Sequence, residues 1–185
     1  MTQKDGMYRS LLNKDGHFFF IDLAERERTQ LELFHRFLVN LRASLGLRNR
    51  ARRLSPIAIC IGKLDRLPKL QYEPEKISRA KRCIQEIQDS GPTDDATILG
   101  AILHRHDLIL KYSELFPCVK SLNGRLLDEC GKGRFAFFPM ATVGWLGGGD
   151  LRAADTIAPF GVIDPLLWIL HASGMEVLPS RPPTF

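Results

Sequence analysis

A lysine and an aspartate lie directly after the most apolar stretch of the chain. Residues 56–67 read PIAICIGKLDRL, so Lys63 and Asp65 follow an unbroken apolar run. A carboxylate such as that of Asp65 can accept two N–H donors from the edge of a flat ring. The aliphatic stem of Lys63 can lie along the plane of the same ring. The K-x-D spacing therefore indicates a site for a planar ligand that presents N–H groups on one edge.

The K-x-D pair and two other groups of residues invite a chemical interpretation, but each also has a simpler structural interpretation. A lone Lys-x-Asp after a strand is more often a solvated turn in which the aspartate caps a helix. Adjacent helical side chains point about 100° apart, so the triplet His104-Arg105-His106 is expected to be a surface cluster. The run Gly147-Gly148-Gly149 is expected to be a loop, because no Lys-Ser/Thr follows it.

The elements around the K-x-D pair predict an α/β fold with a mostly parallel sheet and flanking helices. Three apolar segments read as strands, at 17–22, at the start of the stretch 56–67 and from 135 onward. A continuous apolar run is typical of a strand buried on both faces of a parallel sheet, and ligands of such sheets bind beyond the carboxyl ends of the strands. Lys63 and Asp65 are expected at that position.

Helical spacing of apolar residues fills the segments between the strands. Helices are predicted at 25–45, 75–89, 98–116, 119–130 and 163–173, with Asp164 as a candidate N-cap and Pro165 at the first helical position. The pattern predicts one domain over 1–185. It comprises an N-terminal arm at 1–14, a core at 15–173 with a helical insert at about 92–131, and a disordered tail at 174–185.

Three further segments follow in an order that matches a known family. They are NKDGHFFFID at 13–22, FAFFPMATVG at 135–144 and GVIDPLLWIL at 161–170. Together with the K-x-D pair, they resemble the carboxyl-terminal half of a Ras-like, TRAFAC-class GTPase domain of the bacterial double-GTPase type. The resemblance covers about 11–173 and implies a partial Ras-like P-loop NTPase fold.

The resemblance implies a set of residues that bind GTP or GDP. Gly62, Lys63 and Asp65 would form the guanine-binding loop, and Ala141 and Thr142 would occupy the S-A-x-G position, with the backbone N–H of Thr142 facing the guanine O6. The sequence departs from the family at Gly62, where an asparagine or threonine is usual. Asp22, at the end of the first strand, would organise the loop.

The phosphate-binding elements of that family do not occur in the sequence. It contains no G-x-x-x-x-G-K-[ST] segment, and no D-x-x-G segment precedes the first strand. These segments would hold the phosphates, Mg²⁺ and the attacking water. We therefore predict no catalytic residue and no metal ligand, and hydrolysis of GTP by this chain alone is not expected. Mg²⁺ would bind only with an upstream phosphate-binding half.

The first predicted strand, HFFFID, would leave an apolar sheet edge unpaired, which proteins usually cover. Residues 1–14 fold back over it, a protein partner or upstream half supplies the missing strands, or the chain is an isolated gene fragment. Of these three, we favour the partner or upstream half. A non-catalytic interaction scaffold is the alternative function. It would need an exposed apolar stripe on the insert, but the stripe Leu108, Tyr112 and Leu115 is expected to be core.

The composition of the chain bears on whether it is a membrane, secreted, metal-binding or nucleic-acid-binding protein. The chain has 185 residues, 44% hydrophobic residues and a net charge of +5. No apolar run reaches the roughly 18 residues of a membrane span, and the first ten residues lack a signal-peptide centre, so a cytoplasmic location is expected. Four cysteines without metal-ligand spacing are expected to be free thiols. The arginines at 48, 50, 52 and 53 could bind nucleic acid, although a solvated loop is favoured because no nucleic-acid-binding motif accompanies them.

Overall fold

The computed structural model describes residues 16–44, 54–91, 98–141 and 160–175. Several expectations concern residues outside these ranges. They are the arm at 1–14, the arginine cluster, the beginning of the insert, Thr142, the triple glycine and most of the tail.

The described residues form an α/β fold with one small parallel sheet and flanking helices. The elements in chain order are β1 (His17–Asp22), α1 (Glu27–Ser44), β2 (Ile57–Gly62), a 3₁₀ helix (Leu64–Leu70), α2 (Pro74–Asp89), α3 (Ile98–Lys111), a short 3₁₀ helix (Ser113–Leu115), α4 (Pro117–Cys130), β3 (Phe135–Pro139) and α5 (Asp164–Ala172). The predicted fold class is confirmed at this level.

The sheet has the order β1-β2-β3, and both pairs of strands are parallel. Asp22 at the end of β1 pairs with Gly62 at the end of β2, and Ile61 pairs with Pro139 at the end of β3. The carboxyl ends of all three strands therefore lie along one edge of the sheet. This edge is where a parallel sheet presents its ligand-binding loops.

Strand β2 is buried on both of its faces. Ile57, Ile59 and Ile61 belong to the larger core cluster, which helices α1 to α4 complete. Ala58 points to the opposite face, where it belongs to a smaller cluster with Trp168 of α5. Because both faces are covered, every position of β2 from 57 to 61 needs an apolar side chain, and this requirement explains the unbroken apolar run.

The three phenylalanines of β1 alternate between the two faces of the sheet. Phe19 packs edge-on against Phe34 of α1, with the ring centroids 4.9 Å apart. Phe18 and Phe20 pair in register with Ala58 and Cys60, so they lie on the face that α5 covers. However, they remain 41% and 65% exposed. The apolar character of this strand therefore exceeds what the described residues bury.

The outer edge of β1 has no strand neighbour among the described residues. The backbone N–H of His17 donates to the Pro56 carbonyl at 2.8 Å, so His17 and the alternate residues after it bond toward β2. In a parallel pair, the intervening Phe18 and Phe20 direct their N–H and C=O groups the other way. The exposed edge that the sequence predicts is thus present in the described part of the chain.

Two details of the helical predictions differ from the structure. The helix predicted at 98–116 ends at Lys111 and continues as a 3₁₀ turn, so α4 begins at Pro117 after a break. Asp164 is the first residue of α5 rather than its N-cap, which is Ile163, so the capping prediction is wrong. The carboxylate of Asp164 instead faces the protein interior, where it pairs with Arg105.

The other packing predictions agree with the structure. The stripe of Leu108, Tyr112 and Leu115 is buried in the core. All four cysteines are free and buried, and burial raises the pKa of the Cys60 thiol to about 12. None of the helices in the described ranges combines the length and the apolar character that a membrane span requires.

Candidate functional site

Lys63 occupies a left-handed backbone conformation directly after β2, with φ 59° and ψ 34°. It is the one non-glycine residue with positive φ in the described ranges. Such a conformation costs about 1–2 kcal/mol for an L-residue. A lysine occupies this position although glycine would adopt the conformation without strain, and strained positions of this kind cluster at functional sites.

Packing and hydrogen bonds hold Lys63 in this conformation. The N–H of Leu64 donates to the Met140 carbonyl at 3.2 Å, and the N–H of Met140 donates to the Ile61 carbonyl at 2.8 Å. The Leu64 side chain is fully buried. The left-handed turn therefore places Leu64 in the core and leaves Lys63 at the surface of the edge, next to the end of β3.

The side chain of Lys63 reaches across to the end of β1. Its Nζ lies 2.5 Å from Oδ2 of Asp22, whose Oδ1 accepts a hydrogen bond from the Ala24 N–H at 2.9 Å. Burial acts to raise the pKa of Asp22, but the hydrogen bonds from Lys63 and Ala24 outweigh burial and hold the pKa below its ordinary value. The aliphatic stem of Lys63 therefore spans the ends of two strands.

Asp65 lies two residues further on, in the first turn of the 3₁₀ helix. It is half-buried, and its carboxylate makes no hydrogen bond or ion pair with any described residue. The N-cap position of this helix is Lys63, and no side chain caps it. The interpretation of Asp65 as a capping residue is therefore not supported, and no described residue occupies either carboxylate oxygen.

Gly62 and Ala141 complete the part of the predicted site that the structure describes. Ala141 is fully buried, and its N–H and carbonyl both pair with Phe160, at 3.1 and 2.8 Å. The next backbone N–H belongs to Thr142, outside the described residues. A Cβ at Gly62 would meet the Ile21 carbonyl at an ordinary 3.5 Å. Space therefore does not dictate a glycine at position 62.

A buried ion pair between Arg105 and Asp164 lies next to Phe160, the residue that pairs with Ala141. Both side chains are 11% exposed. The guanidinium also donates to the Ser90 hydroxyl at 3.0 Å and lies 4.9 Å from the centre of the Phe160 ring. Arg105 thus connects the end of α2, helix α5 and the residue that pairs with Ala141. The prediction of a surface cluster is wrong for Arg105.

His106 lies against the outer edge of β3 and hydrogen-bonds to its backbone. The sequence predicted a surface position for this residue. Its ring stacks on Phe137 with a centroid separation of 5.7 Å, and its Nδ1 accepts the Phe137 N–H at 3.1 Å. Burial lowers the pKa of His106, against the opposite effect of the neighbouring Asp107. The ring is therefore neutral at neutral pH and carries its proton on Nε2. No local sequence pattern signals this contact.

We expect the stability of the protein to fall more steeply on acidification because of His106. Because the pKa of His106 is lowered in the folded state, the neutral ring contributes to the free energy of unfolding. This contribution is complete above the ordinary histidine pKa of about 6.5 and is lost as the pH falls below that value. His106 lines a cavity between α3, α4 and α5, and the other charged or titratable groups that line this cavity are Asp107, Lys132 and His171.

The measurement is the urea midpoint at pH 7.5 and pH 5.5. The difference between the two midpoints should shrink in His106→Gln and stay unchanged in a control at the exposed His104. An equal difference in the wild type and His106→Gln would contradict the assignment.

Two cavities lie away from the carboxyl edge of the sheet. One of about 490 Å³ lies between α1 and α4, and one of about 810 Å³ lies between α3, α4 and α5. Neither is lined by Lys63 or Asp65. Within the described ranges, no three His, Cys, Asp or Glu side chains are grouped so that they could hold a metal ion.

Comparison with known proteins adds no relative to this picture. No protein-family model, no curated protein and no solved structure matches the chain. The resemblance to Ras-like GTPases therefore rests on the residues quoted above and stays a prediction.

Proposed function

We propose that the chain is a cytoplasmic, GTPase-like guanine-nucleotide-binding domain of the Ras-like type. It lacks a phosphate loop and acts as a switch subunit or half-domain with a partner. The proposal depends on the carboxylate of Asp65, which has no partner among the described residues and lies beside the left-handed Lys63 at the carboxyl ends of a parallel sheet.

The proposed binding mode follows from hydrogen-bond complementarity. Guanine presents two N–H donors on one edge, from N1 and the exocyclic amine, and the carboxylate of Asp65 accepts both. The stem of Lys63, held in place by Asp22, supports the ring. The backbone N–H of Thr142, which follows the paired Ala141, would donate to O6. Gly62 contributes backbone only.

This site requires a partner for tight binding. Phosphate contacts from backbone N–H groups and Mg²⁺ normally supply much of the affinity for a nucleotide. We place the partner, or an upstream half of the same domain, at the outer edge of β1, where Phe18 and Phe20 are exposed. It would supply the phosphate loop and the Mg²⁺ site, and any hydrolysis of GTP would depend on it.

Titration calorimetry of the chain with GDP and GTP in the presence of Mg²⁺ tests the proposal. We expect weak binding, with a Kd of about 1 mM, and no binding of ATP. Asp65→Ala should abolish the binding of GDP and GTP. Asp65→Asn should shift the preference to xanthine nucleotides, because the amide donates to the xanthine O2 and accepts only from N1–H. Asp89→Ala, an exposed carboxylate elsewhere, is the control.

Two results would overturn the proposal. One is the absence of heat at millimolar guanine nucleotide, and the other is guanine binding that Asp65→Asn leaves unchanged. The Asp65→Asn result is the more informative, since it tests the base contact without depending on the phosphates.

A protein-interaction scaffold is the second candidate function. The exposure of Phe18 and Phe20 favours it, because an apolar strand edge of this kind can pair with another chain. The insert stripe that would have favoured it is buried. A nucleic-acid-binding role would depend on the arginine cluster, which lies outside the described residues.

A further inference from the structure

A groove of about 810 Å³ lies between helices α3, α4 and α5, beside the outer edge of β3. Its volume is within the range of about 300–1,000 Å³ that is usual for small-molecule sites. Gly133 and Phe135, at the amino end of β3, line it, whereas Lys63 and Asp65 lie beyond the carboxyl ends of the strands. The groove is therefore separate from the proposed guanine site.

The walls of the groove are mainly apolar. Leu103 of α3 and Leu127 of α4 line it and are 41% and 44% exposed. Leu99, Leu110 and the indole of Trp168 contribute further apolar surface. Covering large apolar side chains that are exposed on neighbouring helices removes apolar surface from water, which makes ligand binding more favourable. The groove thus suits the apolar body of a ligand.

The polar groups of the groove are mostly hydrogen-bond donors. The Nδ1 of His106 accepts from the Phe137 N–H, which leaves the Nε2–H as the donor of its neutral ring. Lys132 forms no ion pair with any described residue. Asn123 adds an amide. The one lining carboxylate, Asp107, is on the exposed side of α3. This donor set fits an acidic head group.

We propose that the groove binds a small carboxylic acid with an apolar body, of the medium-chain fatty acid class. The apolar body contacts Leu103, Leu127 and Trp168. The carboxylate lies between the ammonium of Lys132 and the Nε2–H of His106. A protonated lysine and an oriented neutral donor together stabilise a carboxylate by charge-assisted hydrogen bonds.

The intrinsic fluorescence of Trp168 can report binding directly. The chain has two tryptophans, Trp145 and Trp168, so Trp145→Phe leaves one in the groove. In that background, decanoate below its micelle concentration should change the fluorescence saturably. Lys132→Ala should weaken decanoate binding about tenfold or more, as expected for the loss of one hydrogen bond to a charged group. It should leave the weaker binding of decanol, which lacks the charge, unchanged.

Two further variants locate the binding. Leu127→Glu places a negative charge in the groove at an exposed position and should abolish decanoate binding. Leu33→Glu on α1, which is exposed and outside the groove, should not change it.

Three outcomes would overturn the proposal. They are no saturable change with decanoate, equal binding of decanoate and decanol with no effect of Lys132→Ala, and binding that Leu127→Glu leaves intact. The second would indicate an apolar docking surface rather than an acid site. None of these results depends on nucleotide, so failure here is distinguishable from failure at Asp65.

Discussion

Replacement of Arg105 by alanine should lower the free energy of unfolding by about 3 kcal/mol, because it leaves the carboxylate of Asp164 buried without its partner. The two side chains are each 11% exposed. The change also removes the hydrogen bond to the Ser90 hydroxyl and the contact with the Phe160 ring. Removal of one partner of a buried ion pair destabilises a protein strongly, because a charge stays buried. Replacement of both partners by apolar side chains often changes the stability little.

Equilibrium unfolding in urea measures this effect. The control is Arg28→Ala, which removes an ion pair with Glu32 whose side chains are 90% and 56% exposed. Exposed pairs contribute about 0–1 kcal/mol, so its midpoint should move little. The double variant Arg105→Met, Asp164→Leu should recover much of the loss, since it leaves no charge buried. Equal effects of Arg105→Ala and Arg28→Ala would contradict the burial argument.

Replacement of Gly161 by alanine should also destabilise the protein, by about 3 kcal/mol, from steric overlap and backbone strain together. Gly161 has φ +66°, and a Cβ there would overlap the backbone carbonyl of Pro139. A backbone atom of a buried strand cannot move aside as a flexible side chain would. The expected result is a lower urea midpoint at unchanged slope.

Gly124→Ala is the matched control, with an effect of opposite sign. Gly124 lies within α4, and a Cβ there would meet no atom within 4 Å. Alanine is favoured over glycine in a helix by about 0.8–1 kcal/mol, so this variant should raise the midpoint. If Gly161→Ala were as stable as the wild type, the close approach to Pro139 would not be a constraint.

Both destabilising changes affect the same support of the candidate site. Arg105 contacts Phe160, the backbone of Phe160 pairs with Ala141, and Gly161 approaches the end of β3. If the chain binds guanine nucleotides as proposed, a variant that folds but loses this support should bind them more weakly than the wild type. The pairing of Phe160 with Ala141 would then be weakened.

The sequence alone determined the sheet and the position of the candidate site within it. Residues 57–61 are all apolar because both faces of β2 are covered, and this pattern is local and readable. It also placed Lys63 and Asp65 beyond a carboxyl strand end, where the structure has them. The resemblance to Ras-like GTPases came from ordered motifs, and it stays a prediction because no related protein tests it.

The tertiary structure decided which polar residues are buried and what they contact. Arg105 and Asp164 are 59 positions apart, and His106 meets the backbone of Phe137 across 31 positions. Local patterns describe the periodicity of one element, and they assigned the histidine–arginine triplet to the surface and Asp164 to a cap. The partner of a buried charge or of a strand edge is set by how the helices pack on the sheet, which no short segment specifies.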